Sequence, residues 1–107
     1  MRGPSEIFSV RVEDSDGAAR FLLTGQFDTE ALYPLYGAIG RAMYRDVVLD
    51  LDEVTFIDGA AWMALMAFER RVRDWGSDFR VANARGHLRK VFELTETEYL
   101  LSGVAAR

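Results

Sequence analysis

An uninterrupted apolar run, followed closely by an amphipathic segment, constrains this fold more than any other feature of the chain. Val47–Leu51 is short, β-rich and without regular polar alternation. Such a run is typical of an interior strand that is covered on both faces. A connector over Asp52–Ile57 follows, and Asp58 then opens an amphipathic segment that runs through Met63–Trp75. The pattern predicts a buried strand that leads into the N-terminus of a helix, where unpaired N–H groups and the dipole point outward.

The segments on either side complete an alternating pattern of strands and helices. Apolar and polar residues alternate over Phe8–Val12 and again over Ala19–Thr24, and Asp14–Gly17 between them has turn chemistry, so a β-hairpin is predicted. Alternating strands and helices after a hairpin indicate an α/β fold with a mixed central sheet. The other predicted elements are a helix from Leu32 to near Tyr44, a strand over Phe79–Ala82, a third helix from near Gly86, and a small-residue tail after Leu101.

The predicted second helix has a clear buried stripe and a clear end. Asp58 suits the N-cap position, and Gly76 suits the position just beyond the C-terminus. Six apolar residues recur at helical spacing between them, which predicts the core-facing side. These six residues are Ala61, Ala64, Leu65, Phe68, Val72 and Trp75.

The composition excludes several classes of function. The length of 107 residues predicts a single domain over residues 1–107, with a core at about 6–101. Because the chain has no cysteine, disulfides and a thiolate metal site are excluded. A net charge of −4 argues against nucleic acid as a partner. The lack of a long apolar run argues against membrane insertion, and the polar N-terminus does not resemble a signal peptide, so we expect a cytoplasmic protein.

Signatures of catalysis and of cofactor binding are missing. The sequence contains no P-loop, no G-x-G-x-x-G, no G-x-S-x-G and no H-E-x-x-H motif. His87 is the single histidine, and we interpret it as a surface or capping residue. Asp50, Asp52 and Glu53 cluster at a strand end, where a Mg²⁺ site is the less favoured interpretation and a structural role the favoured one. We therefore predict no enzyme activity, no cofactor and no metal site.

Four segments, in order and at the right spacing, resemble the STAS domain of anti-sigma-factor antagonists and of sulphate-transporter tails. Leu23–Asp28 resembles the family's L-x-G-E-L-D strand end, with Gln26 in place of glutamate, and Val47–Leu51 resembles its V-V-L-D-L strand. Val54–Asp58 resembles its V-x-F-I-D connector, and Phe92–Leu101 resembles its closing L-E-L-T-G-L-D-x-L-L. The resemblance spans about Phe8 to Leu101 and implies the STAS fold.

The chain departs from the family pattern directly after Asp58. The resemblance implies a serine there, phosphorylated by a partner kinase that is also an anti-sigma factor, then Ser or Thr, then Gly. Here these positions hold Gly59, Ala60 and Ala61, none of which has an oxygen that could accept phosphate. The resemblance therefore implies no phosphorylation site at Gly59, and Thr55 on the connector is one of the nearest hydroxyls.

The surface at the start of the second helix is the predicted partner-binding site. We assign it to Asp58, Gly59, Ala60, Trp62 and Met63, with Asp58 acting chiefly as the N-cap. Trp62 and Met63 lie beside the core stripe, where an exposed Trp next to Met would form a binding hot spot. The alternative is that a helix buried on two sides places them in the core, which we favour for the neighbouring Met66. Arg70, Arg71 and Arg73 are interpreted as a solvated face.

Three functions remain open from the sequence. The leading hypothesis is a non-catalytic regulatory module that binds a protein partner, such as a kinase-like anti-sigma factor, without serine phosphorylation control. The second is a structural STAS-like subunit of a larger assembly, such as a stress-signalling or lipid-transport ATPase complex. The third is an anion or nucleotide sensor at the helix N-terminus. The sequence does not determine whether the chain forms a homo-oligomer.

Overall fold

A computed structural model describes residues 8–15 and 17–101, and over these ranges four strands form one mixed sheet. Residues 6–7 of the predicted core, Asp16 of the predicted turn and the tail after Leu101 lie outside the described residues. The elements are β1 (Ser9–Ser15), β2 (Ala18–Phe27), α1 (Leu32–Gly40), β3 (Asp46–Ile57), α2 (Gly59–Asp74), β4 (Phe79–Ala82) and α3 (Gly86–Leu94), with single 3₁₀ turns at Thr29–Ala31 and Glu98–Leu100.

The sheet has the strand order β1-β2-β3-β4, which confirms the predicted mixed sheet. β1 and β2 pair antiparallel as a hairpin, while β2, β3 and β4 are parallel neighbours joined through α1 and α2. The backbone of Leu101 forms a parallel bridge with Val81 at the outer edge of β4. β3 is therefore an interior strand, as the apolar run Val47–Leu51 predicted.

The core lies between one face of this sheet and the helices. The residues of β2 are buried alternately, and Phe21 stands beside Leu49 of β3, which stands beside Val81 of β4. All three are buried completely. The apolar stripe of α2 was predicted correctly, since its five residues from Ala61 to Val72 are buried and Trp75 is half-buried.

The expectation that the central strand is covered on both faces is wrong. On the face opposite the core, Arg20, Val48 and Arg80 form one cross-strand row, and all three are only half-buried. The apolar run predicted burial of both faces because Val48 is apolar. Its neighbours in the row, however, are arginines that other strands contribute. The sheet is therefore amphipathic, and its second face is polar.

Three element boundaries also differ from the sequence expectation. β3 continues through the predicted connector as far as Ile57, because Gln26 and Phe27 of β2 extend the parallel pairing. α1 ends at Gly40 instead of near Tyr44: the backbone bond from Ala42 to Ile39 already tightens to an i→i−3 bond, and Tyr44 has a positive φ of 71°. The predicted loop before α1 contains a short 3₁₀ turn.

The C-terminus of α2 lies where Gly76 predicted it. Gly76 has φ +84°, and its N–H donates to the carbonyl of Arg73 at 2.9 Å. The N–H of Ser77 donates to the carbonyl of Val72 at 3.2 Å. These two bonds form a Schellman motif, which satisfies the last carbonyls of the helix and favours glycine at the left-handed position.

Candidate functional site

The start of α2 is held by the ends of two parallel strands. The backbone N–H of Asp58 donates to the carbonyl of Phe27 at the end of β2, at 3.2 Å. Asp58 itself has extended backbone angles, and its Oδ1 accepts a hydrogen bond from the N–H of Ala61 at 2.8 Å. This bond confirms Asp58 as the N-cap, and such a cap contributes about 1 kcal/mol to the stability of the helix.

The first turn of α2 presents small, uncharged residues to solvent. Gly59 and Ala60 are exposed, and a Cβ added to Gly59 would meet no atom of the described residues within 4 Å. The φ angle of Gly59 also lies outside the left-handed region. Neither the backbone nor the packing therefore requires glycine at this position, and a larger side chain has room there. With no hydroxyl, thiol or charge on Gly59, Ala60 or Ala61, these three side chains offer no nucleophile.

Three large apolar side chains lie beside the buried stripe of α2, and they divide between the surface and the core. Met63 is 70% exposed, while Trp62 and Met66 are half-buried and pack against the core. The Trp62 indole meets the ring of Phe92 edge-on, with 4.9 Å between the centroids, and so links α2 to α3. Met63 is therefore more exposed than Trp62, and Trp62 has a structural role because it packs on Phe92.

The second half of α2 is tied to the C-terminal segment by a network that sequence reasoning missed. Arg73 Nε donates to Glu69 Oε2 at 2.8 Å, and the Tyr99 hydroxyl donates to Glu69 Oε1 at 3.1 Å. Burial, followed by the negative charge of Glu69, raises the pKa of Tyr99. The i,i+4 spacing of Glu69 and Arg73 was the available signal, but the contact with Tyr99 depends on the tertiary fold. Arg73 is thus not part of a freely solvated face.

Asp50 is the buried charged residue of the described core, and it organises the strand ends. Its carboxylate accepts hydrogen bonds from Arg20 Nη2 at 2.7 Å, Asn83 Nδ2 at 3.0 Å and the backbone N–H of Asp52 at 2.9 Å. Burial alone raises the pKa of Asp50, but the hydrogen bonds from Asn83, Asp52 and Arg20 outweigh it and bring the pKa below 3.8. This arrangement supports the structural interpretation of the acid in the V-V-L-D-L run.

The other groups considered for chemistry lie apart from one another. Asp52 pairs with Arg85 at 2.7 Å, His87 is exposed on α3, and Thr55 is exposed on β3. Over residues 8–15 and 17–101, no three His, Asp or Glu side chains are grouped so that they could hold a metal ion. In the same ranges, no helix is both long and apolar enough to span a bilayer.

The fold defines a class of protein: small α/β domains in which helices pack on a four-stranded mixed sheet. A family model described as "Mlab, STAS domain" matches residues 10–102. The chain therefore belongs to the STAS family, as the four sequence segments indicated. This family is generally non-catalytic, and its membership supports a regulatory role through protein interaction.

Solved structures of anti-sigma-factor antagonists are similar over nearly the whole chain. An anti-sigma factor antagonist from Mycobacterium paratuberculosis is 25% identical, with a TM-score of 0.80 over 97% of this chain and 92% of its own. The Bacillus cell fate determinant SpoIIAA is 15% identical in its phosphorylated form, with a TM-score of 0.72 over 91% of this chain and 92% of its own. Its unphosphorylated form, also 15% identical, has a TM-score of 0.75 over 91% of this chain and 89% of its own. No curated protein matches the sequence.

Proposed function

We propose that this STAS domain is a regulatory module that binds a protein partner through the first turns of α2. The contact surface comprises Asp58, Gly59, Ala60 and Met63, with Trp62 supporting it from the side of α3. A kinase-like anti-sigma factor is the partner class that the similarity to anti-sigma-factor antagonists favours. A cytoplasmic location, expected from the sequence, belongs to the same proposal.

One observation carries the proposal. Met63 is 70% exposed directly after a turn whose outward residues, Gly59 and Ala60, are small and uncharged. A large apolar side chain that stays in solvent beside small, uncharged residues favours a protein contact at that surface. The backbone of α2 can be approached closely there, because no side chain stands between Gly59 and a partner.

We further propose that the module works without phosphorylation control at this position. Transfer of phosphate needs a side-chain oxygen, and Gly59 provides none. The space around Gly59 is open, so the substitution Gly59→Ser fits the fold without rearrangement. Gly59→Ser therefore adds the missing hydroxyl group without changing the fold.

Incubation with a kinase-like anti-sigma factor and ATP tests this point. We expect intact-mass spectrometry and peptide mapping to show no phosphate on the wild-type segment around Asp58. The Gly59→Ser variant should gain one phosphate, which peptide mapping places on the new serine. Phosphate on Thr55 of the wild type would contradict the proposal, since the switch would then have moved along the chain.

A matched pair of charge substitutions tests the surface itself. Met63 on α2 and Leu94 on α3 are both large and apolar, and they are 70% and 74% exposed. We expect Met63→Glu to weaken partner binding at least about tenfold, or roughly 1.4 kcal/mol, and Leu94→Glu to leave it unchanged. Gly59→Asp should also weaken binding, because it places a charge where related proteins are expected to carry phosphate. Equal affinities for all variants would place the interface elsewhere.

Membership of the STAS family also accommodates a second candidate. It is the alternative expected from the sequence, a structural subunit of a larger assembly such as a stress-signalling or lipid-transport ATPase complex. The same α2 surface would then hold the domain permanently in an assembly. Co-purification at a fixed stoichiometry that ATP does not alter would favour this candidate over a regulated exchange of partners.

A further inference from the structure

The outward side of α1 is unusual for a surface helix because none of the residues of the helix itself is charged. None of the nine residues of α1 is charged, although Tyr33 is 88% exposed and Tyr36 is 41% exposed. A surface helix that packs on the core of a globular protein normally presents charged or strongly polar side chains to water on its outer side. Here two tyrosines three residues apart occupy that side.

This side of α1 adjoins, at Tyr36, a groove with an apolar lining. The groove between α1 and α2, called here the α1–α2 groove, has a volume of about 530 Å³ and is lined on its apolar side by Tyr36, Met66, Ala67 and Trp75. Met66 and Trp75 are half-buried and form its floor, while Ala67 is exposed and too small to fill it. The volume lies within the range of grooves and clefts that hold ligands.

The polar side of the groove is positive on balance. Arg70, Arg71 and Asp74 complete the lining, so two cations face one carboxylate in a chain of net charge −4. Both arginines are exposed, and among the residues that the structure describes neither lies within salt-bridge distance of an acid. Arg71 instead lies 6.0 Å from the centre of the Tyr36 ring, whereas Arg73 in the same helix is paired with Glu69. Two cations without acidic partners, beside an apolar floor, suit an acidic group on the occupant.

The groove is continuous with the surface proposed above. Met63, Ala67, Arg70 and Asp74 follow one another at spacings of three and four residues, so they share one side of α2. Exposed Met63 stands one turn before Met66 and Ala67, and the arginines stand one turn after these two residues. A bound segment that begins at Met63 can therefore run along α2 towards Arg70.

We propose that the α1–α2 groove binds an acidic, apolar segment of the protein partner. Apolar side chains of that segment fill the space over Met66 and Ala67, and its carboxylates pair with Arg70 and Arg71. This inference rests on the proposed function and extends its interface from the first turn of α2 along the helix. The extended patch, including Tyr33 and Met63, favours a chain segment over a compact small molecule.

A displayed library of random twelve-residue peptides, selected on the wild-type domain, is the probe. We expect the enriched peptides to combine Asp or Glu with Leu, Phe or Trp, and to bind at least tenfold more weakly to a double charge reversal, Arg70→Glu with Arg71→Glu. Ala67→Arg, which fills the groove, should abolish binding. The double reversal Arg89→Glu with Lys90→Glu on α3 changes the net charge by the same amount outside the groove, so it is the control and should bind as the wild type does. Circular dichroism and thermal melting establish that each variant is folded.

The outcomes separate this inference from the proposed function. Peptides that lose affinity with Gly59→Asp and Met63→Glu, but not with the groove variants, would support the first-turn interface and overturn the groove. Peptides without acidic residues, or no enrichment, would overturn the groove as an acidic-segment site. Sedimentation velocity tests whether a second copy of the chain occupies the groove instead. A concentration-dependent dimer that Ala67→Arg abolishes would assign the groove to that second copy and overturn the proposal.

Discussion

Replacing Asp50 by alanine tests how the strand ends of this domain are held together. The carboxylate is buried and accepts three hydrogen bonds, from Arg20, Asn83 and the backbone of Asp52. Hydrogen bonds to a charged group contribute about 1.5–3 kcal/mol each, but the Arg20 side chain is 31% exposed and regains water when its partner is removed. We therefore expect Asp50→Ala to lower the free energy of unfolding by about 3 kcal/mol.

A surface pair in the same sheet is the matched control. Glu13 also pairs with an arginine, Arg11, at 3.3 Å, but its side chain is 51% exposed, against 6% for Asp50. Exposed pairs of this kind contribute about 0–1 kcal/mol. Urea denaturation of Asp50→Ala, Glu13→Ala and the wild type measures both effects on one scale. Equal losses of stability in the two variants would refute the reasoning that burial makes the Asp50 network important.

The pH dependence of stability provides an independent check on Asp50. Its pKa in the folded state is lowered from 3.8, so the unfolded chain binds the proton more readily than the folded one. The stabilising contribution is then complete above the unfolded pKa and is lost as the pH falls through the folded pKa. The stability difference between the wild type and Asp50→Asn should be constant near neutral pH and shrink below about pH 4. A difference that grows on acidification would contradict this sign.

Three further substitutions test local features of the fold by the same denaturation assay. Trp62→Ala should cost about 2–3 kcal/mol, because the indole packs on Phe92 at 4.9 Å; a loss below about 1 kcal/mol would instead identify Trp62 as a pure contact residue. Glu96→Gly should stabilise by about 0.5–1 kcal/mol, because Glu96 has a positive φ of 57° that disfavours any side chain, and an unchanged midpoint would show that no strain is stored there. Tyr99→Phe should cost about 0.5 kcal/mol through loss of the bond to Glu69, and no measurable change would mean that water replaces it fully.

The sequence predicted those parts of the fold that depend on local chemistry. The N-cap at Asp58, the glycine at Gly76 and the apolar stripe of α2 each involve residues within a few positions of one another. Their spacing encodes hydrogen-bond and packing geometry directly, so they could be read without knowledge of the tertiary structure. The interior position of Val47–Leu51 was also predicted correctly, although the burial on both faces from which it was inferred is wrong.

The features that escaped prediction depend on the register of strands far apart in the chain. The segment Asp52–Ile57 was predicted to be a connector. It is part of β3, because β2 is long enough to pair with it. Asp50 meets Arg20 across 30 positions of sequence and Asn83 across 33. Glu96 occupies a left-handed position that sequence alone assigns to glycine or asparagine.

The contrast between the two ends of α2 bears on how the domain functions. Its second half is anchored, by Glu69 to Arg73 and Tyr99, whereas Gly59 at its start has neither a packing contact nor a backbone angle that requires glycine. A partner that docks on the first turn therefore meets a rigid helix whose surface can change by one side chain without altering the fold. Under the function proposed above, the side chain at position 59 decides whether phosphate control is present, and the proposed binding surface is retained without it.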